Sequence, residues 1–158
     1  MKKVLMLCGV MLMAIGSISA QGDWRLGVNA GIPVGEVDDL ANFQFGADIS
    51  YMYGVANIVG VGAMVGYSQF FADNDLDVGD AQFLPIAASG RIGFPRGFYV
   101  GADLGYAIGL SDGNDGGIYY RPKVGFNLFG LALIASYSGV NTDGVSFNSV
   151  NLGLEIGF

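Results

Sequence analysis

The stretch Phe98–Gly109, FYVGADLGYAIG, alternates without a break. Phe98, Val100, Ala102, Leu104, Tyr106 and Ile108 fall on one face, and Tyr99, Gly101, Asp103, Gly105 and Ala107 on the other. A strand sends successive side chains to opposite sides, whereas a helix would scatter these residues round its circumference. The stretch is therefore read as a β-strand with one large apolar face and one face of small, polar and charged groups.

The same period recurs along the chain. A first strand sets Trp24, Leu26, Val28, Ala30 and Ile32 against Arg25, Gly27, Asn29 and Gly31, and a second sets Phe43, Phe45, Ala47, Ile49, Tyr51 and Tyr53 against Gln44, Gly46, Asp48, Ser50 and Met52. Further strands are predicted over 59–68, 83–92, 118–128 and 131–137. An eighth places Val150, Leu152, Leu154, Ile156 and Phe158 opposite Asn151, Gly153, Glu155 and Gly157. Pro85 and Pro122 each remove a ladder donor, and both are expected near the long-loop rims, where bulges are tolerated. Long connections (35–42, 72–80, 111–117, 139–149) interleave with short ones (54–57, 94–97, 129–130). An even strand number with short turns at one end and long loops at the other is the pattern of a transmembrane barrel.

Composition agrees. The 158 residues are 52% hydrophobic and 13% charged, whereas soluble domains carry about a quarter charged residues, so much of the surface is expected to face lipid. No segment after the first twenty residues has the long apolar run of a membrane helix, which leaves a closed barrel as the way to span a bilayer. The start differs from the rest: Met1–Lys3 is basic, 4–15 apolar and 16–20 mostly small, which predicts a signal peptide over 1–20, cleaved after Ala20, ahead of a barrel domain over 21–158.

Cleavage would remove Cys8, Lys2 and Lys3, leaving no cysteine and a net charge of −9 from five basic and fourteen acidic residues. Disulfides, thiol chemistry and a nucleic-acid partner are not expected. With no histidine either, a serine–histidine triad and a histidine-ligated metal are excluded, and the chain is read as non-enzymatic, without cofactor. The string GVGAMVG lies within a strand pattern, with no helix or lysine following, so it is not a phosphate loop.

Seven charges fall within the predicted strands: Arg25, Asp48, Arg91, Asp103, Arg121, Lys123 and Glu155. All share the parity opposite the apolar face. A charge in hydrocarbon costs about 2–4 kcal/mol at midplane, so they are expected to share the lumen as a paired network, with the inward glycines making room for them.

The terminal run Val150, Leu152, Leu154, Ile156 and Phe158 ends in an aromatic residue. Here, and in the stretches GADLGYAIGL and YYRPKVGFNL, the sequence resembles the small outer-membrane β-barrel family of Gram-negative bacteria. The resemblance spans 21–158 and implies an eight-stranded antiparallel up-and-down barrel in the bacterial outer membrane. It also implies that the terminal run is the insertion signal read by the barrel-assembly machinery. It supplies no functional residues.

The predicted long loops carry Glu36, Asp38, Asp39, Asp73, Asp75, Asp77, Asp80, Asp112, Asp115 and Asp143 and no lysine or arginine. Asp73, Asp75 and Asp77 are spaced two apart, as in a calcium loop, but the glycine is displaced to Gly79 and no glutamate closes the site. Weak binding of calcium or magnesium that bridges the rim to lipopolysaccharide is the expectation. The leading functional reading is a monomeric barrel with a structural or surface-interaction role. Its rivals are a narrow porin-like channel for ions or small solutes and a soluble exported barrel holding an apolar ligand.

The terminal alternation generates a first prediction. Phe158→Asp should reduce the folded fraction, read as the mobility difference between unheated and boiled samples, more than a change at Asn141, which is expected in a long loop. Equal folded fractions would remove the terminal strand's special role.

Overall fold

The computed structural model describes residues 22–72 and 79–158, and the predicted leader lies outside them. Eight antiparallel strands run β1 (Gly22–Val34), β2 (Ala41–Gly54), β3 (Val59–Ala72), β4 (Ala81–Gly93), β5 (Phe98–Gly109), β6 (Gly117–Leu128), β7 (Leu131–Asn141) and β8 (Ser146–Gly157). Each pairs with its neighbours in sequence, and β8 returns to β1, closing an up-and-down barrel. The seam is fully laddered: Leu26 faces Ile156 and Val28 faces Leu154. The Trp24 and Phe158 main chains exchange bonds of 3.0 and 2.9 Å.

Closure fixes the two faces. The residues of the apolar parity stand on the outer wall, where Ile32, Leu104, Ile118, Leu152 and Leu154 are exposed. Aromatic pairs mark both ends of this belt. Trp24–Tyr51 (centroids 5.1 Å apart) and Phe98–Phe126 (4.6 Å) stand toward the short turns, and Phe43–Phe71 (6.0 Å) and Tyr120–Tyr137 (6.3 Å) toward the long loops. Two aromatic girdles round an apolar band are what a bilayer's two interfaces select.

The strands run longer than the alternation suggests, at 11 to 14 residues each, against the 9–11 that span a bilayer. The surplus lies at the long-loop end, and there the polarity reverses. Gln69, Gln82, Asn141 and Ser146 take the outward parity, while Phe70, Phe83, Val140 and Phe147 point into the lumen. At these positions the wall has the sense of a soluble barrel, apolar inside and polar outside, while Phe43, Phe71 and Ile118 stay outward and exposed at the same rim. For this reason the expected long loop over 139–149 is mostly strand: Gly139, Val140 and Asn141 pair with Asn148, Phe147 and Ser146, and only 142–145 connect β7 to β8.

Neither proline makes a bulge. The β3–β4 pairing lapses between Val65↔Ile86 and Ser68↔Phe83, around Pro85, and the β6–β7 pairing lapses between Tyr120↔Gly139 and Lys123↔Ser136, around Pro122. In each case the ladder resumes in the same register, and the opposite ladder is unbroken, with Pro85↔Ala107 and Ala102↔Pro122. One missing donor costs one strand face two pairings and leaves the other intact. The register shift that does occur lies at the rim, between Ala41 and Phe43. At the opposite end Phe129 (φ 51°) and Gly130 (φ 88°) form the two-residue turn between β6 and β7, both left-handed as a hairpin of that length requires.

Inward glycines are set by space. A Cβ on Gly105 would lie 2.0 Å from the Ile86 carbonyl oxygen, a backbone atom that cannot step aside, whereas Gly54 has nothing within 4 Å. Gly105→Ala should therefore lower the unfolding free energy in urea by about 1–3 kcal/mol, with Gly54→Ala close to wild type. Equal midpoints would show that the lumen wall has slack at this position.

Candidate functional site

The lumen is built by register. Inward charges face inward glycines on neighbouring strands: Asp48 lies between Gly27 and Gly66, Arg91 between Gly60 and Gly101, and Glu155 beside Gly27. Tyr99 lies between Gly93 and Gly125. Each long side chain thereby leans over a bare stretch of neighbouring wall on its way into the lumen.

The structure brings all seven sequence-predicted charges into this interior, in two clusters. In the central one Asp103 accepts from Arg121 Nε at 2.7 Å, from Lys123 Nζ at 2.9 Å and from the Ser89 hydroxyl, and Arg121 Nη1 donates to Asp48 at 2.7 Å. Two acids and two bases cancel there, and all four are buried. In the second cluster, toward the short turns, Glu155 accepts from Arg91 Nη2 at 2.8 Å and from Arg25 Nη1 at 3.1 Å. The Arg91 guanidinium lies 4.0 Å from the Tyr99 ring centroid, a cation–π contact. Asp23, at the mouth of β1, adds a strand charge that the alternation reading left out, 3.4 Å from Arg25.

Toward the long loops the lining becomes neutral and then apolar. Gln44 donates to Ser68 at 3.0 Å, Asn151 donates to Ser138 at 2.9 Å, and Ser138 and Ser149 share a bond of 2.9 Å. Above these, Phe70, Phe83 and Phe147 pack edge to face with centroids 5.0 to 6.1 Å apart. Val37, on a 3-10 turn over Gly35–Val37, is fully buried, and Glu36 beside it accepts from the Ser146 amide at 2.7 Å. The aromatic trio was not legible as lumen lining, because Phe70 and Phe147 lie past the ends of the predicted strands and Phe83 is the first residue of one, an apolar side chain at an inward position. The usable signal was the strand-length surplus together with glutamines at outward positions.

Between these layers, beside Asp48, Tyr119 and Arg121, the interior keeps a cavity of about 10 Å³, room for about one water. Larger hollows lie at the two mouths. One, of about 500 Å³, is lined by Arg25, Arg91 and Tyr99, and one of about 600 Å³ by Asp80, Asp112, Asp115 and Asp143. Of the terminal run, Val150, Leu152, Leu154 and Ile156 stand outward and exposed on β8, and Phe158, just past its end, is exposed as well. Asp73, Asp75 and Asp77 lie outside the described residues, and among the described residues no three acidic side chains converge on a point that could hold a metal ion.

No protein-family model matches the chain, and no curated protein matches it in sequence. Solved structures match its fold. The outer-membrane protein Ail of Yersinia pestis, in a phospholipid bilayer nanodisc, superposes with a TM-score of 0.63 at 18% identity, covering 89% of this chain and 100% of Ail. The N-terminal β-barrel domain of Pseudomonas aeruginosa OprF gives 0.55 at 16%, covering 89% and 100%, and Neisserial surface protein A gives 0.51 at 19%, covering 89% and 98%. The fold is that of the small eight-stranded outer-membrane barrels.

The central cluster sets a stability prediction. Removing one partner of a buried charge network strands the others, at about 3–5 kcal/mol. Asp103→Ala should lower the urea unfolding free energy by that amount, and the exposed loop change Asp112→Ala by less than about 0.5 kcal/mol. Equal losses at the two sites would mean that the lumen pairs do not hold the barrel together.

Proposed function

We propose that the chain is a non-enzymatic outer-membrane barrel whose interior is a packed strut, and whose role is structural or surface-interacting, exercised through its long-loop end. The observation that carries this reading is the filled lumen, in which paired charges, a neutral layer and the aromatic trio succeed one another with room for about one water between them. A conducting path needs a continuous polar file, and a soluble carrier needs an apolar hollow inside. The exposed outer belt, led by Ile32, Leu104 and Leu152, favours lipid as the surrounding medium. The long-loop rim carries Glu36, Asp38, Asp39, Asp80, Asp112, Asp115 and Asp143. In the proposed setting this rim lies among lipopolysaccharide headgroups, with divalent cations between the two anionic surfaces.

Single-channel recording tests the reading. The refolded barrel in a planar bilayer should show no discrete conductance steps, and Phe83→Ala should show none either, because the ion-paired layers beneath remain. Reproducible ohmic steps from the wild-type protein would establish the channel reading instead.

A further inference from the structure

The mouth at the short-turn end differs chemically from the rest of the barrel. Arg25, Arg91 and Tyr99 line its hollow of about 500 Å³. Arg91 spends Nη2 on Glu155, but its Nε and Nη1 are buried with no hydrogen-bond partner, as are Arg25 Nε and the Tyr99 hydroxyl. Arg91 and Tyr99 are both at least nine-tenths buried, their side chains held against each other by the cation–π contact. Guanidinium groups carry donors and no acceptor, so whatever completes this cluster must accept hydrogen bonds. Charge points the same way. Arg25, Arg91 and Arg96 on the adjoining turn outnumber Asp23 and Glu155, and Glu155 is already shared between two guanidiniums. The central cluster is neutral by comparison, and the long-loop rim is acidic.

We propose that this vestibule is an oxyanion site that takes a phosphate group between Arg91, Arg25 and the Tyr99 hydroxyl. Arginine forks match phosphate oxygens in geometry as well as charge. The group that accepts from them is a free phosphate or the phosphodiester of a lipid headgroup at the short-turn rim, where Phe94 and Phe98 line the same hollow. The site depends on the barrel fold and its register, and does not depend on whether the lumen conducts.

The test uses the refolded barrel in octyl glucoside, a phosphate-free detergent, at fixed ionic strength set by chloride. Titration with inorganic phosphate should give saturable heat and a rise in the thermal midpoint. Both Arg91→Gln and Arg25→Gln should weaken the dissociation constant at least tenfold, with the folded fraction of each variant checked by its mobility shift. Arg91→Lys, which keeps the charge without the fork, should fall in between. In a second arm phosphatidylglycerol is added to the same micelles and compared with neutral diacylglycerol. A midpoint rise specific to phosphatidylglycerol and lost in Arg91→Gln, with no response to free phosphate, would assign the site to a lipid headgroup. No response in either arm, or a response unchanged in both arginine variants, would overturn the proposal.

Discussion

A sheet that stands in hydrocarbon must pair every backbone amide and carbonyl within itself, because no water is there to accept or donate. That requirement closes β8 onto β1 and removes both edges. With eight strands the enclosed space is about as wide as the side chains that point into it. The apolar residues take the outer wall, so the inner wall receives everything of the opposite parity, charges included. The packed lumen follows from closure and strand number together.

Charges inside such a tube must be matched, since an unpaired one in a dry interior costs several kcal/mol. The chain meets this with glycine as much as with counter-charge. Setting Gly27, Gly66 and Gly101 opposite Asp48, Arg91 and Lys123 leaves open wall over which the long side chains cross to partners several strands away. Arg121 reaches Asp48, 73 positions distant in sequence, and Arg91 reaches Glu155 across 64. These cross-axis ties brace the cylinder in directions that the ladders do not.

The fold was largely legible because one rule, apolar outward, governs the band that meets lipid. The eight strands and the inward parity of all seven charges followed from it, as did the glycine role. Which charge would meet which was not legible, since the partners depend on shear between distant strands. The rule also stops at the end of the band. Phe70, Phe83 and Phe147 turn inward where Gln69, Gln82 and Asn141 turn outward, so a reading tuned to the bilayer took residues 139–149 for loop. Pro85 and Pro122 were expected near the long-loop rims, where bulges are tolerated, but Pro122 lies beside the central cluster, and a proline in a sheet disturbs one ladder only, so the register survives through the other.

Everything here rests on one assignment of faces: apolar residues to the outside, charges and glycines to a packed interior. Single cysteines, otherwise absent from 22–158, placed in turn along β5 and β3 and spin-labelled in a lipid bilayer, report that assignment directly through collisions with oxygen, which partitions into lipid, and with a water-soluble nickel chelate. Labels at Val100, Ala102, Leu104 and Tyr106 should show high oxygen and low nickel accessibility. On β3 a label at Met64, which replaces a buried inward side chain of similar length outside the charge clusters, should be shielded from both between lipid-accessible labels at Ala63 and Val65, giving a period of two. Nickel accessibility at the inward position would reveal a water-filled lumen, and loss of the period would contradict the barrel's two faces altogether.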